Sequence, residues 1–140
     1  MSEKEQEEFR DSRVFRGSDE ILYRELSYEI VGAAIQNWKI LGYGFLEKVY
    51  ENALVIELRK RGVSFEQQCP IKVYYDGTIV GDYVADILVE GKIILELKSA
   101  KTIDDAHVAQ TLNYLKATRM RLGLILNFGP DKLQSKRVVL

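Results

Sequence analysis

The stretch GDYVADILVEGKIILELK, residues 81–98, predicts two adjacent strands joined by a tight turn at Glu90-Gly91. β-Branched and other apolar residues dominate both strands, and the Ile-Ile-Leu run of the second is typical of a central strand buried on both faces. Three charged residues nevertheless interrupt the pattern: Asp86, Glu96 and Lys98. Because a buried charge is costly unless it is paired or binds a metal, these side chains are the first candidates for a functional site.

The length of the turn decides whether the two acids meet. Glu96 and Lys98 are two residues apart, so they share one face of their strand. A two-residue loop would pair Asp86 with Leu95 and place Asp86 and Glu96 on opposite faces of the sheet. A three-residue loop, or a bulge, would place Asp86 opposite Glu96, and we predict this second arrangement.

Two carboxylates and a lysine on one sheet face suit a metal-dependent reaction. Asp86 and Glu96 supply hard oxygen ligands of the kind that Mg²⁺ or Mn²⁺ prefers. A bound metal lowers the pKa of its water and stabilises negative charge on a phosphate, and Lys98 could position that water or stabilise the same charge. A structural ion pair of Lys98 with either acid accounts for the same spacing, and on spacing alone it is slightly favoured.

The remaining sequence is that of one globular domain. The chain has 140 residues, 46% of them hydrophobic and 29% charged, which is ordinary for a single folded unit. Residues 1–20 are polar and aperiodic, so we expect them to form a flexible tail and residues 21–140 to form the domain. One cysteine, no apolar run long enough to cross a membrane and no signal-peptide pattern make the cytoplasm the expected location.

Periodicity predicts three helices and a mixed sheet. Apolar residues recur at helical spacing over 26–41, over 45–61 and from Asp104 or Asp105 to Thr118, and Ser27 or Asp19 could cap the first helix. Pro70 marks a strand boundary, and the strand candidates are 65–68, 71–75, 78–89, 92–98, 122–128 and 137–140. This order predicts an α/β or α+β fold in which helices cover a mixed sheet.

The net charge of −1 is low for a protein that binds a polyanion, but the charge is unevenly distributed. Residues 1–20 carry a net charge of −3, which leaves +2 for the rest of the chain. Six bases lie in the C-terminal fifth: Lys116, Arg119, Arg121, Lys132, Lys136 and Arg137. They form either a phosphate-facing patch or an ordinary solvated face, and charge alone does not separate the two.

Two motifs resemble a known nuclease superfamily. Asp86, nine intervening residues and then Glu96-Leu97-Lys98 after an apolar strand resemble the active-site motif of the PD-(D/E)XK nucleases, with Ala85 in the place of the proline. The segment GFLEKVY, residues 44–50, is similar to the signature of the GxxExxY proteins, a bacterial and archaeal group within that superfamily. The resemblance covers most of the chain and implies a restriction-endonuclease-like core of helix, three-stranded meander, helix and strand.

The resemblance also implies roles for three further side chains. Glu47 would reach the metal from the second predicted helix together with Asp86 and Glu96, although the helix dipole alone also favours an acid at its position. Gln110 and Tyr114 are spaced i, i+4 in a QxxxY element like that of RecB-like and phage-exonuclease-like members, where it lies beside the active site. A polar stripe on an amphipathic helix is the alternative for this pair.

These observations favour a Mg²⁺- or Mn²⁺-dependent nuclease that hydrolyses phosphodiester bonds, with DNA preferred to RNA as the substrate. The candidate catalytic residues are Asp86, Glu96, Lys98, Gln110 and Tyr114, and the candidate metal ligands are Glu47, Asp86 and Glu96. The alternative is a non-catalytic nucleic-acid-binding or interaction module on the same fold, which the weak positive charge would suit. A homodimer would supply additional surface and two sites for a duplex.

Overall fold

The computed structural model describes residues 22–140, so the predicted tail over residues 1–20 lies outside the described residues. Helix α1 spans Arg24–Leu41, α2 spans Glu47–Lys60 and α3 spans Asp105–Thr118. The strands are β1 (Phe65–Tyr75), β2 (Thr78–Val89), β3 (Ile93–Lys98), β4 (Leu122–Phe128) and β5 (Leu133–Val139). None of the described helices is long and apolar enough to cross a membrane.

The five strands form one mixed sheet in the order β1-β2-β3-β4-β5. The first three strands form an antiparallel meander, β4 runs parallel to β3, and β5 returns antiparallel to β4. A parallel pair needs a crossover connection, and α3 supplies it between β3 and β4. The carboxyl ends of β3 and β4 therefore lie at the same end of the sheet, next to the loop that leads into α3.

Apolar side chains pack on both faces of this sheet. The larger cluster lies under α1 and α2 and includes Leu54 and Leu95, whereas the smaller cluster lies under α3 and includes Ile94 and Leu115. Neighbouring residues of β3 thus enter opposite clusters, as expected for a strand that is buried on both faces. The predicted class, a mixed sheet flanked by helices, is confirmed.

Three details of the predicted elements were wrong. Pro70 lies inside β1 and not at a boundary. β1 is an edge strand, where a residue without an N–H is tolerated because one side of the strand makes no ladder. β5 begins at Leu133, well before the predicted start, since its half-exposed polar residues gave no strand pattern. Ser27 is buried inside α1 and does not cap it, and Asp19 lies outside the described residues.

Helix α3 packs closely on β4 at Gly123. A Cβ atom at this position would lie 2.5 Å from Thr111 Cγ2, well inside van der Waals contact, so glycine allows the close approach. Thr111 is fully buried, and its hydroxyl donates to the His107 carbonyl at 3.0 Å. The contact fixes the height of α3 above the sheet, and with it the position of Tyr114 on the next helical turn.

Candidate active site

The register of β2 against β3, extended by one residue, places Asp86 next to Glu96, and the two side chains interact. Val89 pairs with Ile93, so three residues form the turn, and the ladder continues for two more pairs as far as Leu95. Asp86 and Glu96 are the next residues in this register. The predicted three-residue loop is therefore confirmed.

β2 and β3 separate immediately after this ladder. Among the described strands, β3 continues beside β4 as far as Lys98, whereas the part of β2 before Asp86 pairs with β1 alone. Ala85 and Ile87 are two residues apart on β2, yet Ala85 packs in the cluster under α3 and Ile87 in the cluster under α1 and α2. β2 is thus strongly twisted at Asp86, and the candidate site lies in the fork between the two strands.

The Asp86 carboxylate bridges this fork. Its Oδ2 accepts a hydrogen bond of 2.7 Å from the Leu97 backbone N–H. Burial raises the pKa of Asp86, and the bond from Leu97 opposes that shift. Among the charged neighbours, Glu51 and Glu47 raise the pKa of Asp86 further and Lys98 lowers it. The carboxylate is therefore held in place where nearby negative charge disfavours its ionisation.

Glu96 hydrogen-bonds with the backbone and the side chain of Asp86 but keeps one unsatisfied oxygen. Its side chain is only 4% exposed, and its Oε1 is buried without a hydrogen-bond partner among the described residues. Burial, and then repulsion by the Asp86 carboxylate, raises the pKa of Glu96 to about 8 against the attraction of Lys98. An unsatisfied buried acceptor costs about 1–3 kcal/mol. The fold thus retains a group that stability alone does not favour.

Two acids of α2 lie one helical turn apart but differ in burial. Glu47, a predicted metal ligand, is exposed, and its effect on the pKa of Asp86 is the smallest among the charged neighbours. Glu51 is 4% exposed and has a larger effect on Asp86. The ligand role of Glu47 stays a prediction. Glu51 is an acid near the site that the sequence analysis missed, although its i, i+4 spacing from Glu47 was a usable signal.

Side chains of α2 and β1 hold Glu51 in position. Lys48 Nζ lies 2.8 Å from Glu51 Oε2, and Gln68 Nε2 donates to Glu51 Oε1 at 2.9 Å. Gln67 Nε2 donates to Glu51 Oε2. Glu51 is therefore a satisfied buried carboxylate, in contrast to Glu96, and its negative charge is fixed near Asp86.

Tyr50, the tyrosine of the GxxExxY-like segment, fixes the loop that precedes α2. Its hydroxyl donates to the Gly42 carbonyl at 2.6 Å and accepts from the Phe45 N–H at 3.2 Å. Its buried ring stacks on Phe128 at the end of β4, with the ring centroids 4.3 Å apart. The segment is thereby anchored at the carboxyl end of β4, and Glu47 begins the helix that follows.

Tyr114 and Gln110 border the fork from α3. Tyr114 is 5% exposed; burial raises the pKa of its hydroxyl, and the charges of Glu96 and Asp86 raise it further. Gln110 is exposed, and its Nε2 donates to Tyr114 Oη at 3.0 Å. The two carboxylates therefore act on the pKa of Tyr114, and Gln110 is connected to the site through its hydrogen bond to the Tyr114 hydroxyl.

Three other polar residues have structural contacts. The Asp104 side chain accepts from the His107 N–H at 3.0 Å and His107 Nδ1 accepts from the Asp104 N–H at 3.2 Å, which closes a capping box on α3. Arg137 is buried, and its guanidinium donates to Ser27 Oγ and to the Leu22 carbonyl. Arg137 therefore does not belong to a phosphate-facing patch, whereas the other C-terminal bases are exposed.

The acidic pair fits a divalent metal by the chemistry of its oxygens. Glu96 Oε1 is an unsatisfied acceptor, and a cation beside it would favour ionisation of a group whose pKa burial has raised. Within residues 22–140, no group of three or more acidic, histidine or cysteine side chains is placed to hold a metal. Water or substrate oxygens would complete the coordination, as is usual for Mg²⁺.

Comparison with known proteins relates nearly all of the described residues to one protein family. A family model described as PD-(D/E)XK nuclease superfamily matches residues 24–138. The solved structure of SSO0001 matches with a TM-score of 0.52 and 20% identity, over 84% of this chain and 57% of that chain. At this identity the likeness concerns the fold alone, and this chain spans little more than half of the solved one. No match was found among curated proteins.

Proposed function

Because the chain belongs to the PD-(D/E)XK nuclease superfamily, we propose that it is a metal-dependent nuclease that hydrolyses phosphodiester bonds in DNA. The observation that carries this proposal is the pairing of Asp86 with Glu96 in the fork between β2 and β3. Glu96 is buried, has an unsatisfied oxygen and has a pKa raised to about 8. A strongly perturbed acid beside a second acid is more typical of a functional site than of a structural ion pair.

In this proposal Asp86 and Glu96 bind Mg²⁺ or Mn²⁺ through their carboxylate oxygens. Glu47 is a candidate for a further contact, either direct or through water, and Glu51 adds negative charge near Asp86. When bound, the metal supplies charge stabilisation to the phosphate and lowers the pKa of a coordinated water. Both acids are presented by strands of a rigid sheet, which suits the accurate positioning of a reacting group.

Lys98 is the cation that acts on both acids of the pair. Its ammonium group would orient the attacking water and stabilise the negative charge that develops on the phosphate. Hydrolysis forms a bond from the water oxygen to phosphorus and breaks one ester P–O bond, and the leaving oxygen takes up a proton. Tyr114, oriented by its bond from Gln110, is the second donor at the site and would contact a phosphate oxygen.

Several finer assignments belong to the same proposal. Membership of the GxxExxY group is supported by the local role of Tyr50, whose hydroxyl holds the loop before Glu47. DNA is preferred to RNA as the substrate, and a homodimer would give two sites for a duplex. The cytoplasmic location expected from the sequence is part of the proposal as well.

A cleavage assay tests the proposal directly. The protein is incubated with supercoiled, linear and single-stranded DNA and with RNA, in the presence of Mg²⁺, Mn²⁺ or a chelator. Glu96→Gln and Lys98→Ala are assayed beside the exposed control variants Glu25→Gln and Lys39→Ala. We expect metal-dependent cleavage that is lost in the two site variants and retained in the two controls.

The alternative function has its own signature in this assay. Binding of nucleic acid without cleavage, unaffected by Glu96→Gln, would identify a binding module on a nuclease-like fold. Cleavage that survives both site variants would show a contaminating nuclease and would contradict the assignment of Glu96 and Lys98.

A further inference from the structure

Two half-exposed aromatic rings lie close in sequence to the acids of the site. Tyr83 precedes Asp86 on β2 by three residues and is 48% exposed. Phe45 precedes Glu47 by two residues, in the loop before α2, and is 47% exposed. Large apolar rings at the surface are informative when they lie together at a binding site. Tyr83 and Phe45 are therefore candidates for contact with a ligand of the site.

A buried tyrosine supports each ring. The Tyr83 ring lies 5.7 Å from the ring of Tyr114, at an interplanar angle of 46°. The Phe45 ring meets the Tyr50 ring edge-on, with the centroids 6.2 Å apart. Tyr114 and Tyr50 are 5% and 0% exposed, so the supporting rings are themselves firmly packed. The exposed rings are therefore held in place and lose little side-chain entropy when a ligand covers them.

Gly81 provides further room for the Tyr83 ring. A Cβ atom at Gly81 would lie only 3.0 Å from Tyr83 Cε2, which means that the ring lies over the glycine. This part of the β1–β2 hairpin projects beyond the ladder with β3, which begins at Ile87. The Tyr83 ring is thus fixed on its ribbon and on α3 and keeps nearly half of its surface free.

The two rings are supported from opposite faces of the sheet. Tyr83 leans on Tyr114, a member of the cluster under α3, whereas Phe45 leans on Tyr50, a member of the cluster under α1 and α2. Tyr50 in turn stacks on Phe128 at the carboxyl end of β4, which is the end of the sheet at which β3 finishes with Lys98. A strand that passes around this end of the sheet, past the acidic pair, would meet both rings.

The charge of the domain makes stacking more important for binding. The chain without its first 20 residues carries a net charge of only +2. Attraction between Lys or Arg side chains and phosphates supplies most of the affinity for duplex DNA. A domain with so little net positive charge is therefore expected to bind a duplex weakly. Rigid aromatic rings instead bind the faces of unpaired nucleobases, each worth about 1–3 kcal/mol. A duplex hides those faces within its base stack.

We propose that Tyr83 and Phe45 are stacking platforms for nucleobases and that the DNA strand is unpaired where it crosses the Asp86–Glu96 site. The ligand class is therefore single-stranded DNA, including unpaired ends and flaps of a longer duplex. This inference rests on the proposed nuclease function for its biological meaning. The binding that it describes is measurable without cleavage.

Fluorescence anisotropy with a labelled oligothymidylate tests the inference. Binding is measured in chelator, so that cleavage does not interfere, and is compared with a duplex of the same length. Tyr83→Leu and Phe45→Leu remove a ring but keep an apolar side chain, and Tyr83→Phe keeps the ring. Tyr75→Leu, at the exposed hairpin tip, is the matched control. We expect Tyr83→Leu and Phe45→Leu each to weaken single-strand binding about tenfold. Tyr83→Phe and Tyr75→Leu are expected to bind like the wild type.

The outcomes separate this inference from the proposed function. Wild-type protein that does not bind oligothymidylate, or ring-removing variants that bind it normally, would overturn the inference even if the protein cleaves duplex DNA. Ring-dependent single-strand binding without cleavage in any metal would support the inference while contradicting the nuclease assignment. An equal loss of duplex and single-strand binding would also overturn it, because stacking on unpaired bases predicts a selective loss.

A second measurement does not depend on the stability of the variants. Oligothymidylate that carries 5-iodouracil is irradiated with wild-type protein, and the cross-linked peptides are mapped. We expect cross-links at Tyr83 and Phe45 and none at Tyr75. Cross-links confined to the exposed C-terminal bases would place the strand elsewhere and contradict the proposal.

Discussion

The Leu97 backbone N–H donates a hydrogen bond of 2.7 Å to Asp86 Oδ2, across the fork between β2 and β3. In a continuing antiparallel ladder, an N–H of this kind would bond to a backbone carbonyl of the neighbouring strand. The Asp86 side chain therefore replaces a main-chain acceptor at the point where the ladder ends. A proposed metal ligand is thus also a structural link between the two strands.

The double role of Asp86 predicts that two substitutions at this position differ in stability. Asp86→Asn keeps an oxygen that accepts the Leu97 N–H, and it removes a carboxyl group whose ionised form burial disfavours. We therefore expect little change in the free energy of unfolding. Asp86→Ala leaves the N–H unsatisfied, and we expect a loss of about 1–3 kcal/mol in urea denaturation. Both variants are expected to lose metal-dependent cleavage. Equal stability of the two variants would show that the bond contributes nothing.

Glu96 predicts an unusual dependence of stability on pH in the absence of metal. Its pKa is about 8 in the folded chain and near the ordinary value of 4.5 in the unfolded chain. Between these values the folded chain retains a proton that the unfolded chain has lost. The contribution of Glu96 to stability is therefore full below pH 4.5 and is lost as pH rises toward 8. The raised pKa of Asp86 acts in the same direction.

Glu96→Gln removes this titration. We expect the variant in chelator to have a higher Tm than the wild type near pH 8 and a flatter decline of Tm between pH 4.5 and 8. Thermal unfolding followed by circular dichroism measures both quantities. Glu25→Gln, an exposed acid of α1, is the control and is expected to follow the wild type. A wild type and a Glu96→Gln variant with parallel pH profiles would contradict the raised pKa.

Metal binding is expected to reverse the same instability. A cation that binds only the folded chain stabilises it by RT ln(1 + [L]/Kd), about 2.7 kcal/mol at a concentration one hundred times Kd. We expect Mg²⁺ or Mn²⁺ to raise the Tm of the wild type, most strongly near pH 8, where the metal replaces the proton on Glu96. The Glu96→Gln variant is expected to respond weakly, and Ca²⁺ serves as a test of ion preference. A metal response of equal size in both proteins would place the ion elsewhere.

Regular periodicity was sufficient to predict the main elements of the fold. The apolar run of β4 predicted its bounds to the residue, and Asp104, one of the two predicted capping residues of α3, is the one that caps it. Pro70 was misleading because its effect depends on whether a strand lies at the edge of the sheet, which only the topology decides. Arg137 was grouped with the C-terminal bases of a phosphate-facing or solvated face, but it is buried, and charge gives no indication of burial.

The candidate site was predictable in its pairs but not in its surroundings. The spacing of Glu96 and Lys98 placed them on one face of β3. Whether Asp86 lies on the same side as Glu96 depended only on the length of the loop between β2 and β3. The strong twist of β2 at Asp86 had no sequence signal, because residues 85 and 87 are both apolar and each is compatible with either cluster. The spacing of Glu51 from Glu47 pointed to the same helix face, but it does not show that Glu51 is buried; the burial depends on its partners Gln67 and Gln68 on β1.

The contact between α3 and β4 positions Tyr114, so a change at Gly123 is expected to affect the site. Gly123→Ala would place a Cβ atom 2.5 Å from Thr111 Cγ2, so α3 must shift away from the sheet. Overpacking of this kind costs about 1–3 kcal/mol, and we expect that loss in urea denaturation together with reduced cleavage. Thr111→Ser removes the opposing methyl group and keeps the hydroxyl that bonds to the His107 carbonyl. The double variant Gly123→Ala/Thr111→Ser is therefore expected to recover most of the stability and activity; failure to recover either would show that the loss at Gly123 does not arise from this contact.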